Sequence, residues 1–74
     1  MHFNYTARRN RRHPGAEAAT FRIGKLWHRE GDQALEVSHL VDRTYGYHSQ
    51  RELHWHLAER FERPVADIRL DKVA

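Results

Sequence analysis

The chain contains no cysteine. No disulfide can staple it and no thiolate can serve as a nucleophile. Zinc sites that need sulfur are excluded, so any metal would rest on histidine and carboxylate alone. No apolar run approaches the roughly 20 residues that cross a bilayer, and the N-terminus lacks the apolar core of a signal peptide. The chain therefore reads as a cytoplasmic, soluble protein. Serine is almost missing, with only Ser38 and Ser49, and no glycine-rich phosphate loop is present. Seven histidines occur, yet neither HxxxH nor HExxH spacing is found among them. His54 and His56 stand two residues apart and would point about 200° away from each other on a helix, which prevents shared chelation. The carboxylates are scattered among basic neighbours, and a 74-residue domain rarely builds a reaction cleft. These absences lead to the expectation of a non-catalytic protein with no cofactor and no metal.

What is present begins with charge. The net charge of +3 divides unevenly along the chain. Residues 1–16 hold Arg8, Arg9, Arg11 and Arg12 and no acid, whereas the remaining nine basic and ten acidic residues leave the rest at −1. The segment Ala7-Arg8-Arg9-Asn10-Arg11-Arg12-His13-Pro14-Gly15 closes on a Pro-Gly breaker. Residues 1–16 thus read as a flexible arginine-rich arm, and residues 17–74 as a single α+β domain. Folding at this length buries only about 60% of the surface that the unfolded chain exposes, so stability should be marginal.

Within the domain, Phe21, Ile23 and Trp27 alternate with Arg22, Gly24 and His28, the pattern of a half-buried strand to which Lys25 and Leu26 are exceptions. Leu35, Val37, His39 and Val41 form a second alternating run beyond the turn residues Arg29 to Asp32, so the two read as a β-hairpin. A loop of odd length, Glu30-Gly31-Asp32, keeps both apolar sets on one face by pairing Trp27 with Leu35 and Ile23 with His39. The course of Asp42 to His48 is left open between strand and loop.

The best-defined element runs from Ser49 to Glu62. Ser49 and Glu52 make a capping box, Leu53, Leu57 and Phe61 fall on one stripe, and Arg63-Pro64 stops the helix. Val65 to Val73, in which Ile68 and Leu70 alternate with Asp67, Arg69 and Asp71, predicts a final strand in preference to a second helix from Pro64, whose apolar positions would scatter around the wheel. The expected fold is a small two-layer α+β domain, ββαβ, with an antiparallel sheet in order 2-1-3. One face lies under the helix and the other is open. His39 and His54 are expected to meet at the edge of the core, as packing residues rather than as a metal or acid-base pair, and to be where mild acid costs stability.

No family signature is present. A basic arm before a small sheet and helix is similar in outline to DNA-binding domains that lay a sheet in the major groove. The stretch Leu57 to Ile68 resembles part of a helix-turn-helix, with Glu62 and Arg63 where glycine and an apolar residue are usual.

Two functions follow. The first is a nucleic-acid-binding accessory or regulatory module, for DNA or RNA, with Arg8, Arg9, Arg11 and Arg12 on phosphates. The second is a protein-interaction module, a small inhibitor or adaptor. It would use Trp55, which falls opposite the apolar stripe, together with Tyr45, Tyr47, Arg51 and an open sheet edge, where tyrosine, tryptophan and arginine are the types that dominate hot spots. A homodimer is one way of covering such an edge, and no membrane partner is expected.

Overall fold

Phe3, Tyr5 and Ala7 alternate with Asn4, Thr6 and Arg8, and in the computed structural model, which describes residues 1–9 and 20–73, this run is a strand. The elements are β1 (His2–Arg9), β2 (Phe21–Glu30), β3 (Gln33–Glu36), α1 (Gln50–Arg60) and β4 (Arg69–Lys72). They form one four-stranded sheet in the order β3-β2-β1-β4, with α1 against one face. The α+β class expected from the sequence is the class observed. The first part of the expected arm is instead an inner strand, because Phe3 and Tyr5 bury fully against the helix and gain more there than solvent allows. Residues 10–16 of that arm lie outside the described residues.

Inserting β1 changes the sheet order. The last strand was expected beside the first hairpin strand, but β1 stands between them, antiparallel to β2 and parallel to β4. The parallel pair is bound at its ends by Arg69 N–H donating to Met1 O at 2.7 Å and Val73 N–H donating to Tyr5 O at 2.8 Å. Gln50 ties the helix start to both strands, accepting from the Tyr5 hydroxyl at 3.0 Å and donating to Leu70 O at 3.1 Å.

The hairpin turn is shorter than expected. Glu30 pairs with Gln33 and Trp27 with Glu36, so only Gly31 and Asp32 form the loop. Gly31 has φ of +59° at the first central position, the requirement of the type II′ turns that suit strand twist. An odd loop would have been needed only if both strands kept a strict alternation, and β2 does not. Opposite the single residue Thr6 stand two residues, Gly24 and Lys25, since Tyr5 faces Leu26 and Ala7 faces Ile23. This β-bulge reverses the parity of the strand, so Phe21 and Ile23 point to the helix before it, and Leu26 and His28 after it. Thr6 Oγ1 accepts the Lys25 amide at 2.8 Å, replacing a ladder bond lost at the bulge.

The second hairpin strand ends at Glu36 rather than Val41. Ser38 is the reason: its hydroxyl accepts the Leu26 amide at 2.9 Å, taking the place of a backbone partner, and the chain turns into a 3-10 turn over Ser38–Leu40. His39 is therefore exposed, not on the core face, and His54 instead packs with its Nε2 3.1 Å from Val65 O. Asp42 to His48 loops along the unpaired half of β2, where Phe21 and Tyr47 exchange backbone hydrogen bonds at 2.9 and 2.8 Å.

The helix follows its signals closely. Ser49 Oγ accepts the Glu52 amide at 3.2 Å, while Glu52 reaches one residue past the cap to the His48 amide at 3.1 Å. At the other end Arg63 N–H donates to Ala58 O at 2.9 Å and Glu62 N–H to Glu59 O at 3.3 Å, a Schellman ending. Glu62 takes φ of +53°, the left-handed position usually held by glycine. Beyond it Val65–Asp67 is one 3-10 turn leading into β4, so the likeness to a helix-turn-helix stops at the sequence. Phe3, Tyr5, Ile23, Leu26, Tyr47, Leu53, Leu57, Ile68 and Leu70 form the core between helix and sheet. Among the described residues, no helix is long and apolar enough to cross a membrane.

Candidate nucleic-acid interface

The ladder registers decide which side chains share the face away from α1. Because Phe3, Tyr5 and Ala7 point to the helix, His2, Asn4, Thr6 and Arg8 point away from it. Their partners across the ladders are Arg29, Trp27 and Arg22 on β2 and Arg69 and Asp71 on β4, with Ala34 and Glu36 of β3 beyond. The bulge adds Lys25 to the same face, since Leu26 next to it points inward. Five cations, Arg8, Arg22, Lys25, Arg29 and Arg69, thus share one sheet surface with two acids, Glu36 and Asp71.

Within this surface Arg8 and Arg22 are direct cross-strand partners. Like charges facing each other across a ladder are destabilising. Arg22 Nε is moreover shut from solvent with no hydrogen-bond partner among the described residues. The Arg8 side chain is guided by Gly24: a β-carbon there would meet Arg8 Nε at 3.4 Å and Cγ at 3.5 Å, so the guanidinium stem lies over the bare backbone. Trp27 is half-buried and stands apart from the core cluster, although its odd position had grouped it with Phe21 and Ile23. It faces Asn4 on one side and Glu36 on the other.

The acids are partly occupied. Asp71 Oδ2 lies 2.8 Å from His2 Nε2 and accepts from Arg69 Nε at 3.0 Å. The hydrogen bond from His2, supported by the Arg69 charge, holds the Asp71 carboxyl below the usual carboxylate range. Glu36 accepts from the Ser38 hydroxyl at 3.1 Å, and Asn4 Oδ1 from Arg29 Nη1 at 3.4 Å. Arg69 and Arg29 remain exposed despite these contacts.

The four arginines grouped in the sequence do not act as a block here. Arg8 and Arg9 are adjacent on β1 and point to opposite faces, Arg9 opposite Phe21 near Lys72 on the helix side. Arg11 and Arg12 lie outside the described residues. Sequence reading passed over Trp27, Lys25, Arg29 and Arg69 as a set. The signal was the run Gly24-Lys25-Leu26, a break in alternation that marks a bulge and transfers every later residue of β2 to the other face.

The aromatic candidates also separate. Trp55 is 56% exposed in the middle of α1, with Arg51 one turn before it, beside a shallow groove formed with Ala58, Glu59, Pro64 and Val65. Tyr47 is fully buried, and its hydroxyl lies 2.8 Å from His56 Nδ1. Burial, aided by the nearby Tyr45, Asp42 and Glu52, pushes the Tyr47 phenol up to about 12. Tyr45 is 41% exposed and sets its ring edge-on to Tyr47 at 4.6 Å and to His56 at 5.4 Å. Of the expected partner surface, Tyr47 is therefore core, while Tyr45, Arg51 and Trp55 reach solvent. Among the described residues no group of three or more histidine or carboxylate side chains converges on a metal position. Comparisons with known protein families, with curated proteins and with solved structures find no match for this chain.

Proposed function

We propose that this protein is a small, non-catalytic nucleic-acid-binding module whose contact surface is the open face of the sheet, with Arg8, Arg22, Arg29 and Arg69 on phosphates. The observation that supports it is the Arg8–Arg22 pair held opposite each other across β1 and β2. A fold that keeps two guanidiniums in that position carries a repulsion in the free protein, and a phosphate between them would relieve it through charge-assisted hydrogen bonds. Arg11 and Arg12, which follow β1 in the sequence, would add their charge to the electrostatic attraction. Binding should depend on salt, with log K falling against log salt at a slope of roughly −3 to −4 for four phosphate contacts. Replacing Arg22 or Arg69 by Gln should reduce the magnitude of that slope by about 0.7 to 0.9 each. Fluorescence anisotropy with labelled oligonucleotides at several salt concentrations is the measurement, and a slope near zero for the intact protein would end this reading.

A second reading, a protein-interaction module, is favoured by the 56% exposure of Trp55. That surface, with Arg51 and Tyr45, would take a protein partner, and a second copy of the chain is one candidate. Elution of the pure protein as a dimer that Trp55→Ala converts to a monomer would support it. Monomeric elution at every concentration would remove the second copy from consideration.

A further inference from the structure

Resting on the nucleic-acid reading above, we infer that the open sheet face takes unpaired single strands rather than duplex, with a base stacked on Trp27 and phosphates on the surrounding Arg22, Lys25, Arg29 and Arg69.

Width is the first reason. Four strands at about 4.8 Å spacing make a surface about 19 Å across, whereas the major groove of duplex DNA is about 12 Å wide and admits one helix or a two-stranded ribbon. The four-stranded part of the face, which holds Trp27, Arg29 and Arg69, is too broad to enter it. At the Arg8–Arg22 end, where β1 and β2 pair without β3 or β4, the Tyr47 segment lies along β2 and adds a third chain width. The hairpin tip and the helix are narrower, and both present carboxylates. The tip of the β2–β3 hairpin presents Glu30 and Asp32 on either side of Gly31, both exposed. The outer surface of α1 mixes Glu59 with Arg51 around Trp55, and Glu62 and Arg63 follow beyond the helix end. Either would bring carboxylates against the phosphate backbone that dominates duplex affinity.

A single strand has no groove to fit, and its bases are free to splay onto a surface. What such a strand requires is a cationic track with an aromatic platform inside it. Trp27 supplies the platform: it sits on the open face, half-buried and apart from the core cluster. Along its own strand Lys25 and Arg29 precede and follow it on the same face, Arg22 lies beyond the bulge, and Arg69 lies across β1. Stacking asks for no particular base, so affinity should vary little with sequence.

The test uses the full chain with Trp55→Phe, which leaves Trp27 as the sole tryptophan of the two in the sequence. Titration with a mixed-sequence DNA or RNA oligonucleotide at low salt should quench Trp27 emission, and the unpaired strand should bind at least about tenfold more tightly than the same sequence annealed to its complement. Trp27→Ala should weaken single-strand binding by about five- to one-hundred-fold, and Trp27→Phe should restore most of it, with circular dichroism confirming that both variants fold. Duplex bound as tightly as single strand, or single-strand binding that leaves Trp27 emission unmoved, overturns the inference while leaving a nucleic-acid module in place. Absence of binding to either form removes both.

Discussion

A methyl group on Gly24 would stand 2.6 Å from Thr6 Oγ1, an atom held in place by the Lys25 amide. Gly24→Ala must therefore move β1 against β2 or break that hydrogen bond, and it should lower stability by about 1–3 kcal/mol, the usual cost of overpacking, as read by urea unfolding. The same change should displace Arg8, whose stem lies on the glycine, and so weaken oligonucleotide binding. Tyr47 is the second residue on which much depends. Tyr47→Phe removes the hydroxyl that meets His56 Nδ1 and should cost about 1–2 kcal/mol for the buried hydrogen bond. Its titration has a definite sign. The folded phenol, raised from 10.0 to about 12, resists ionisation, so its contribution to stability is complete below pH 10 and is lost as pH rises towards 12. Denaturation midpoints followed across that alkaline window should fall for the native protein and fall less for Tyr47→Phe.

At the scale of elements, β1 carries the fold. It pairs on both sides and contributes Phe3 and Tyr5 to the core, so deleting residues 1–9 should abolish cooperative unfolding and most of the circular dichroism signal. Removing the N-terminal segment therefore cannot serve to isolate its arginines, and point substitutions are needed. The helix ends offer milder changes. Ser49→Ala should cost about 1 kcal/mol by removing the N-cap acceptor. Glu62→Gly should be neutral or stabilising by up to about 1 kcal/mol, because relief of the left-handed strain at φ of +53° outweighs the flexibility gained by the unfolded chain. The β1–β4 pair carries one acid-sensitive contact. Asp71 is held below the ordinary carboxylate range, so its contribution is present above that range and lost as pH falls through the lower folded value. Amide NMR signals of His2 to Tyr5 and Arg69 to Lys72 should shift together on acidification, and Asp71→Asn should abolish that response.

For the whole molecule, the helix and the arginine face occupy opposite sides of one sheet. Trp55 looks outward from the helix layer and Trp27 from the sheet layer, so substitutions on one side should leave the other's binding unchanged. Trp55→Ala should thus retain oligonucleotide affinity within about twofold, as expected for well-separated sites. The helix was legible almost residue for residue, since capping, period and stop are local properties. The presence of a hairpin and of a final strand was legible too, but not the hairpin's turn, its register or its end at Glu36, nor the 3-10 turn over Val65–Asp67 that shortens the last strand to Arg69–Lys72. The arm was not, because a strand eight residues long beside an arginine cluster reads as unstructured until the neighbours that bury Phe3 and Tyr5 are known.

By itself the amino-acid sequence determined the α+β class, the extent and core stripe of the helix, and the place of Trp55 opposite that stripe. These depend on interactions within a few residues of one another. Only the tertiary structure shows that no other segment among the described residues covers Trp55. The tertiary structure decided the place of β1, the two-residue turn, and above all the bulge opposite Thr6, which assigns Trp27, Lys25 and Arg29 to the open face. A bulge shifts side-chain parity only relative to a partner strand, and that partner is separated from it along the chain by residues whose spacing says nothing about register.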